Sequence, residues 1–237
     1  KKKTTNMLRT LIIALLLCST VVCGQNEGVN PNNNVLIGLT NLGANRAAFG
    51  SSSIIRNPKK PIDGTVYIYE DWSNYATVSS EETNVRLNNL NFNAQRNAFQ
   101  SKIGADSLFT FNFRNLKEVV IKNKTFKNIY SPIHQKSRVF EVLVENKDFS
   151  IYKDYRIEIK EGSPNPQRGA PNDKFLLRYD YYVVQGENFS KFQLKKSKLL
   201  KVMGDKADKV EAYIKSKKLK VKRPNDLKKI MDYYNSL

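Results

Sequence analysis

Cysteine, histidine and tryptophan are almost missing from this chain. Its 237 residues hold two cysteines, one histidine and one tryptophan. Both cysteines, Cys18 and Cys23, fall within the first 24 residues, so the remainder has no thiol for a disulfide or a Cys-ligated metal. The lone imidazole, His134, offers zinc one ligand where it needs several, and a nucleophile no second base to choose from. No serine sits between flanking glycines as in a nucleophile elbow. EF-hand loops and GxxxxGK phosphate loops are also lacking. No metal site and no cofactor are expected.

Long apolar runs are equally scarce. Leu11–Leu17 is the one unbroken stretch, extended by small and apolar residues through Gly24. A spanning helix needs about 20 apolar residues, so this run suits the core of a secretory signal rather than an anchor. Lys1–Lys3 and Arg9 supply the positive region before it. A start at Met7 would keep Arg9 and the apolar core. Cleavage is expected after Gly24, before Gln25, which gives an exported chain, periplasmic or secreted, with no transmembrane span. The alternative is lipidation at Cys23, although Val22 before it is larger than a lipoprotein signal prefers.

What remains after residue 24 carries 36 basic and 22 acidic side chains, a net charge of +14. The basic residues are mostly Lys (29 Lys, 11 Arg in the whole chain) and accompany abundant Asn, Ile, Tyr and Phe. AT-rich coding favours all of these, so overall basicity is weak support for a polyanionic partner.

Residues 25–63 are broken by Pro31, Gly38, Gly43, Gly50, Pro58 and Pro61 and read as an irregular arm, with Val35–Ile37 and Ile54–Ile55 as possible edge strands. From Gly64 to Leu194 short runs rich in Val, Ile, Thr, Phe and Tyr alternate with turn residues. The expected strands are Thr65–Trp72, Ala76–Ser80, Val85–Asn91, Ala98–Ile103, Ser107–Phe113, Glu118–Lys122, Thr125–Tyr130, Arg138–Glu145, Phe149–Lys160, Phe175–Gln185 and Phe189–Leu194. In Phe149–Lys160 the residues Phe149, Ile151, Tyr155, Ile157 and Ile159 share one phase and polar residues the other, the period of a half-buried strand. Glu161–Lys174 reads as a long hairpin loop. The expected fold is mainly β: an antiparallel twisted sheet, or an open barrel or roll, with a C-terminal helical hairpin.

That hairpin occupies residues 195–237. Leu199, Met203, Ala207, Val210 and Ile214 form one helical stripe. Gly204-Asp205 is a candidate break with Asp205 as N-cap, and Lys217–Arg223 reads as extended. Pro224 opens a last helix with Leu227, Ile230, Met231 and Tyr234 inward. Lys195–Arg223 is also the densest charge feature, with 12 basic and 3 acidic residues in 29 positions. Lys195, Lys196, Lys198, Lys215, Lys217, Lys218, Lys220, Lys222 and Arg223 are candidate contacts for a polyanion such as anionic lipid or envelope polysaccharide. One Arg and one aromatic residue, Tyr213, make nucleic acid the weakest of these partners. A solvated lysine face accounts for the same residues.

Paired carboxylates are the remaining route to chemistry, as in glycoside hydrolysis. Glu70-Asp71, Glu81-Glu82, Asp154 and Glu158 are candidates on strands, each equally readable as a solvated acid. Tyr67 with Tyr69, and Tyr179 with Tyr181, share strand phases that suit either a ligand groove or an aromatic ladder.

Leu199-Leu200-Lys201, Gly204-Asp205-Lys206, Ala212-Tyr213-Ile214-Lys215, Lys220-Val221-Lys222 and Tyr233-Tyr234-Asn235-Ser236-Leu237, together with Arg138–Leu143, resemble the C-terminal part of uncharacterised secreted proteins of Bacteroidetes, of flavobacterial type. The likeness covers about residues 138–237. It implies export to the envelope and a β-rich body, and it transfers no catalytic residue. The expected function is that of a non-enzymatic envelope binding or structural module. The alternatives are a polysaccharide hydrolase using strand or loop carboxylates and a polyanion binder using the C-terminal segment.

Overall fold

The computed structural model describes residues 49–55, 61–81, 84–163 and 171–237. The expected signal segment, Cys23, Glu82 and most of the expected 25–63 arm lie outside them. The described chain is mainly β, with two sheets that do not close and a C-terminal helical region. Its strands are β1 (Gly50–Ile54), β2 (Ile62–Asp63), β3 (Ala76–Ser79), β4 (Asn84–Leu87), β5 (Leu90–Asn93), β6 (Ala98–Lys102), β7 (Ser107–Phe111), β8 (Glu118–Ile121), β9 (Lys124–Ser131), β10 (Lys136–Glu145), β11 (Ser150–Lys160), β12 (Asp173–Gln185) and β13 (Asn188–Phe192). Three helices follow: α1 (Lys196–Met203), α2 (Ala207–Ser216) and α3 (Pro224–Asn235).

The large sheet runs β13-β12-β11-β10-β9-β8-β3-β4, and β2 adds to the free side of β12 in parallel, Ile62 opposite Asp173. The small sheet runs β1-β7-β6-β5. From β8 to β13 each strand is hairpinned to the next, while β5–β7 are an excursion into the small sheet between β4 and β8. Val85–Asn91 is therefore two strands in different sheets. Gly50–Ile54 is the edge strand of the small sheet, antiparallel to β7, so this part of the expected arm belongs to the β body.

Thr65–Trp72 is not a strand. Tyr67 makes one bridge to Asn93, and beyond it the Asn91 side chain replaces the ladder. Asn91 Nδ2 donates to the carbonyls of Tyr69 (2.9 Å) and Asp71 (3.1 Å), and its Oδ1 accepts from the Tyr69 N–H. A fully buried amide that satisfies backbone groups from the side holds the segment bent across the edge of β5.

Residues directly opposite across a ladder share a face. Phe126, Glu141, Lys153 and Tyr181 therefore lie on one face of the large sheet. Toward β4 this face packs on the small sheet through Phe92, Phe99 and Phe126, whose ring centroids are 5.0–5.5 Å apart. Toward the β10–β11 turn it is covered by the helices, with Val144, Phe149, Ile151 and Val183 against Leu199, Val210, Ile230 and Met231. The opposite face carries a smaller cluster of Phe140, Tyr152 and Tyr182.

The helical stripe is as expected in Leu199, Met203, Val210 and Ile214, all buried, and Leu227, Ile230, Met231 and Tyr234 are buried on α3. Gly204 ends α1 at φ +58° and ψ −130°, a conformation that needs glycine. Asp205 is not an N-cap: it sits in a short 3-10 turn, and α2 starts from Lys206 without a side-chain cap. Lys217–Arg223 is a pair of turns rather than an extended segment. Lys218 adopts φ +53° just past α2, where the Leu219 N–H reaches back to the Ile214 carbonyl. No described helix is long and apolar enough to cross a membrane.

Candidate functional site: a groove beside β10

Glu141 occupies the middle of β10, on the face shared by both apolar clusters, and is 6% exposed. A buried carboxylate requires partners, and the two flanking strands, β9 and β11, provide them. Tyr155 of β11 donates its hydroxyl to Glu141 Oε2 at 2.5 Å. Lys124 of β9 lies 3.6 Å from the same oxygen and donates to Tyr155 Oη at 2.9 Å. Lys153 of β11 is 3.8 Å away, held between the rings of Tyr155 (4.5 Å) and Tyr179 of β12 (4.3 Å). Burial lowers the Lys153 ammonium pKa, Glu141 opposing the shift. Burial and the nearby Glu141 charge push Tyr69 up to about 12 and raise Tyr155 strongly. The Tyr69 hydroxyl is buried beside this cluster with no hydrogen-bond partner among the described residues.

Two members of the cluster, Glu141 and Lys124, reach one end of a cavity of about 800 Å³. One wall is the β8–β9 turn, where Lys122 and Asn123 adopt φ +47° and +62°. These are the left-handed angles of a type I′ hairpin turn. The other wall is α3, with Asn225, Met231 and Asn235. The floor is the end of β10, Val142–Glu145.

That floor has a particular backbone geometry. Pairing of β9 with β10 ends at Thr125 opposite Val142, because the chain turns back at Lys122-Asn123. A bulge at Leu143 follows, and β10 continues to Glu145 paired only with β11. The Asn146 N–H bonds the Phe149 carbonyl, so Asn146 and Phe149 form a hydrogen-bonded pair. Pairs alternate in an antiparallel ladder. Glu145 opposite Ser150 is then a non-hydrogen-bonded pair, and its N–H and C=O point away from β11, into the groove.

The charges around the groove are paired within the protein: Lys122 with Asp71 (3.4 Å), Lys127 with Glu145 (2.5 Å), Lys228 with Asp232 (2.7 Å), and Lys124 with the Glu141 cluster. The amides of Asn123, Asn225 and Asn235 make no side-chain hydrogen bond among the described residues. The groove thus offers free amides and a free strand edge over an apolar floor of Leu143, Val144 and Met231.

Sequence reasoning did not single out Glu141. The strand Arg138–Glu145 has Phe140, Val142 and Val144 in one phase, and simple alternation puts Glu141 on a solvated face. The large sheet is packed on both faces here, and the bulge shifts Val144 to the side of Glu141.

The carboxylates proposed for hydrolysis do not converge. Glu70 and Asp71 are exposed, with Asp71 on Lys122; Glu81 is exposed, and Glu82 lies outside the described residues. Glu158 is on the exposed part of β11, paired with Arg178 and Arg156. Asp154, on the polar phase of β11, is not a solvated acid: it is 3% exposed and held by two bonds from Arg138, at 2.9 and 3.2 Å.

His134 stands beside that pair. Its Nδ1 contacts Ser131 Oγ at 2.8 Å and its Nε2 lies 3.9 Å from Asp154. The residue types are those of a triad, but the arrangement is not. The serine bonds the nitrogen that a triad reserves for aspartate, it is fully buried, and Arg138 already holds the aspartate. Burial lowers the His134 pKa, with Arg138 reinforcing the shift. Among the described residues no group of His, Cys, Asp and Glu could hold a metal ion.

All nine residues of the expected polyanion set are exposed. Lys195, Lys196 and Lys198 lie at the start of α1. Lys217, Lys218, Lys220, Lys222 and Arg223 occupy the turns before α3, and Lys215 ends α2. Glu211 pairs with Lys196 (2.8 Å) and Lys215 (3.4 Å), and hydrogen bonds from both hold its carboxyl below the usual range. Comparison of the chain with protein-family models, curated proteins and solved structures finds no match in any of the three.

Proposed function

We propose that this is an exported envelope protein acting as a non-enzymatic binding module, with its ligand site in the groove between the β8–β9 turn, the end of β10 and α3. The observation that carries this reading is a cavity of about 800 Å³ with unpaired amides on both walls and internally neutralised charges. Pockets of this size hold ligands of several residues, and a few convergent polar groups over an apolar floor fix their orientation. The walls are built on a hairpin and a helix packed into the core, so the site is pre-formed. Asn225→Trp with Asn235→Trp fills the groove from α3 and replaces only exposed residues. Arrays of bacterial glycans and pools of random peptides are the probes. A ligand captured by the natural protein is expected to lose at least tenfold in affinity to the filled variant. Equal binding of every captured probe by the two proteins would refute the site.

A second reading concerns the turns before α3, where five cations in seven residues (Lys217–Arg223) include none within 4.0 Å of a described carboxylate. Such a cluster suits phosphate- or sulfate-bearing polymers and anionic lipid. Dextran sulfate and phosphatidylglycerol vesicles are expected to bind with an affinity that falls steeply as salt rises, because each contact releases counterions. Changing Lys215, Lys217, Lys218, Lys220 and Lys222 to Gln is expected to remove that binding without lowering the melting temperature. Binding that ignores both salt and these substitutions would leave the lysines as a solvated surface.

A further inference from the structure

We infer that the groove takes an extended peptide segment, which adds as a short strand to the free edge of β10 at Leu143–Glu145. This deepens the binding-module reading and rests on it. Most of β10 is interior to the large sheet, with β9 on one side and β11 on the other, but β9 stops at its turn one residue short of the bulge. A strand that outruns its neighbour leaves a row of unsatisfied backbone groups, and such edges are normally covered or charged. Here the exposed edge faces a cavity roomy enough for another chain.

Each part of the groove matches a part of a peptide. The Glu145 N–H and C=O present a donor and an acceptor side by side, the pair that an added strand satisfies with one residue. Asn123 on one wall and Asn225 and Asn235 on the other carry amides of the same donor–acceptor chemistry as a peptide bond, so they can meet main-chain groups outside the short edge. Leu143 and Met231 provide a flexible apolar floor for one side chain; methionine adapts to shapes that vary. Oligosaccharide fits less well. Sugar faces stack on aromatic rings, and none of the described residues lining this cavity is aromatic. The flanking charges are paired, so neither a strongly acidic nor a strongly basic ligand is selected. The occupant is an uncharged or weakly charged extended peptide with one apolar side chain directed at Met231.

The test uses the full chain and a pool of random 12-residue peptides displayed on phage, followed by a synthetic peptide of the most enriched sequence. Glu145→Pro deletes the N–H that faces the groove and touches no ladder bond, since proline is tolerated on the free side of a strand. Glu145→Ala keeps the N–H and removes the ion pair with Lys127. Expected results are enrichment of peptides sharing an apolar position, and affinity in Glu145→Pro at least tenfold below that of Glu145→Ala, which differs from it in keeping the N–H. Amide exchange on the natural protein provides a readout independent of that variant's folding: the Glu145 N–H should be slowed on peptide binding. No enriched peptide, or a bound peptide that leaves the Glu145 amide exchanging as before, would overturn strand addition. A glycan displaced by the filled groove, with no peptide bound, would overturn this inference and leave the binding site standing. Failure of both probes at the groove would remove the site itself.

Discussion

Deleting Asp205–Leu237 is expected to unfold the β body rather than to release an appendage. The deletion strips α2 and α3 from the large sheet and uncovers Val144, Phe149, Ile151 and Val183, which are at most 6% exposed in the intact chain. Full burial of each such side chain contributes about 1.5–3 kcal/mol. Four of them amount to roughly 6–12 kcal/mol, against a typical total stability of about 5–15 kcal/mol. The bond from Tyr234 Oη to Asp148 at 2.7 Å, which ties α3 to the β10–β11 turn, is lost as well. Thermal unfolding followed by far-UV circular dichroism should show either no cooperative transition or a midpoint lowered by at least about 12 °C, at about 2–4 °C per kcal/mol for a chain of this size. A truncated protein that melts where the full chain does would mean that the helices contribute nothing to the sheet.

The second large effect is expected on the opposite face, at Arg138 and Asp154. Their side chains are 15% and 4% exposed, and Asp154 stands directly across the ladder from Asp180. Removing either partner leaves a charge without its counterion in a site that water barely reaches. Arg138→Met and Asp154→Leu should each cost about 3–5 kcal/mol. The double variant should lose much less than the sum, because replacing a buried pair with apolar residues of similar volume is often near neutral. Arg156 remains on Asp180 at 3.1 Å and keeps that carboxylate paired throughout. Urea midpoints of the four proteins give the coupling energy directly. Strict additivity of the two single losses would show that the pair acts only as packing.

These two faces also mark where the sequence was readable. The alternation in Phe149–Lys160 placed a long strand correctly, and the four-and-three spacing from Leu199 to Ile214 located helices whose apolar stripe is buried. Both signals are local: each residue's environment repeats along its own element. The misreadings have a common cause in contacts made between elements. Asp154 and Tyr152 occupy the polar phase of β11, yet Arg138 and Tyr182 from neighbouring strands bury them. Glu141 looks solvent-facing until a bulge two residues on brings Val144 to its side. Thr65–Trp72 has strand composition, and a buried Asn91 from β5 supplies the hydrogen bonds that a neighbouring strand would have provided. The basic segment was legible as charge because exposure is the default for lysine. The groove was not, since it depends on where β9 stops relative to β10.

The pairing of β2 with β12 bears on how the chain comes together. Ile62 and Asp63 meet Asp173 and Lys174, and Asn172 adds a bond to Asp63 at 3.1 Å. This contact closes a loop of roughly 110 residues, at an entropic cost of about 4 kcal/mol for a free chain. Its few hydrogen bonds return about 1 kcal/mol each, so it cannot nucleate folding. The meander from β8 to β13 has no such burden, because each hairpin brings together residues close in sequence. The β2 contact is therefore a late latch: it closes once the intervening strands have already brought its two halves together, and it is among the first contacts to open in the native state.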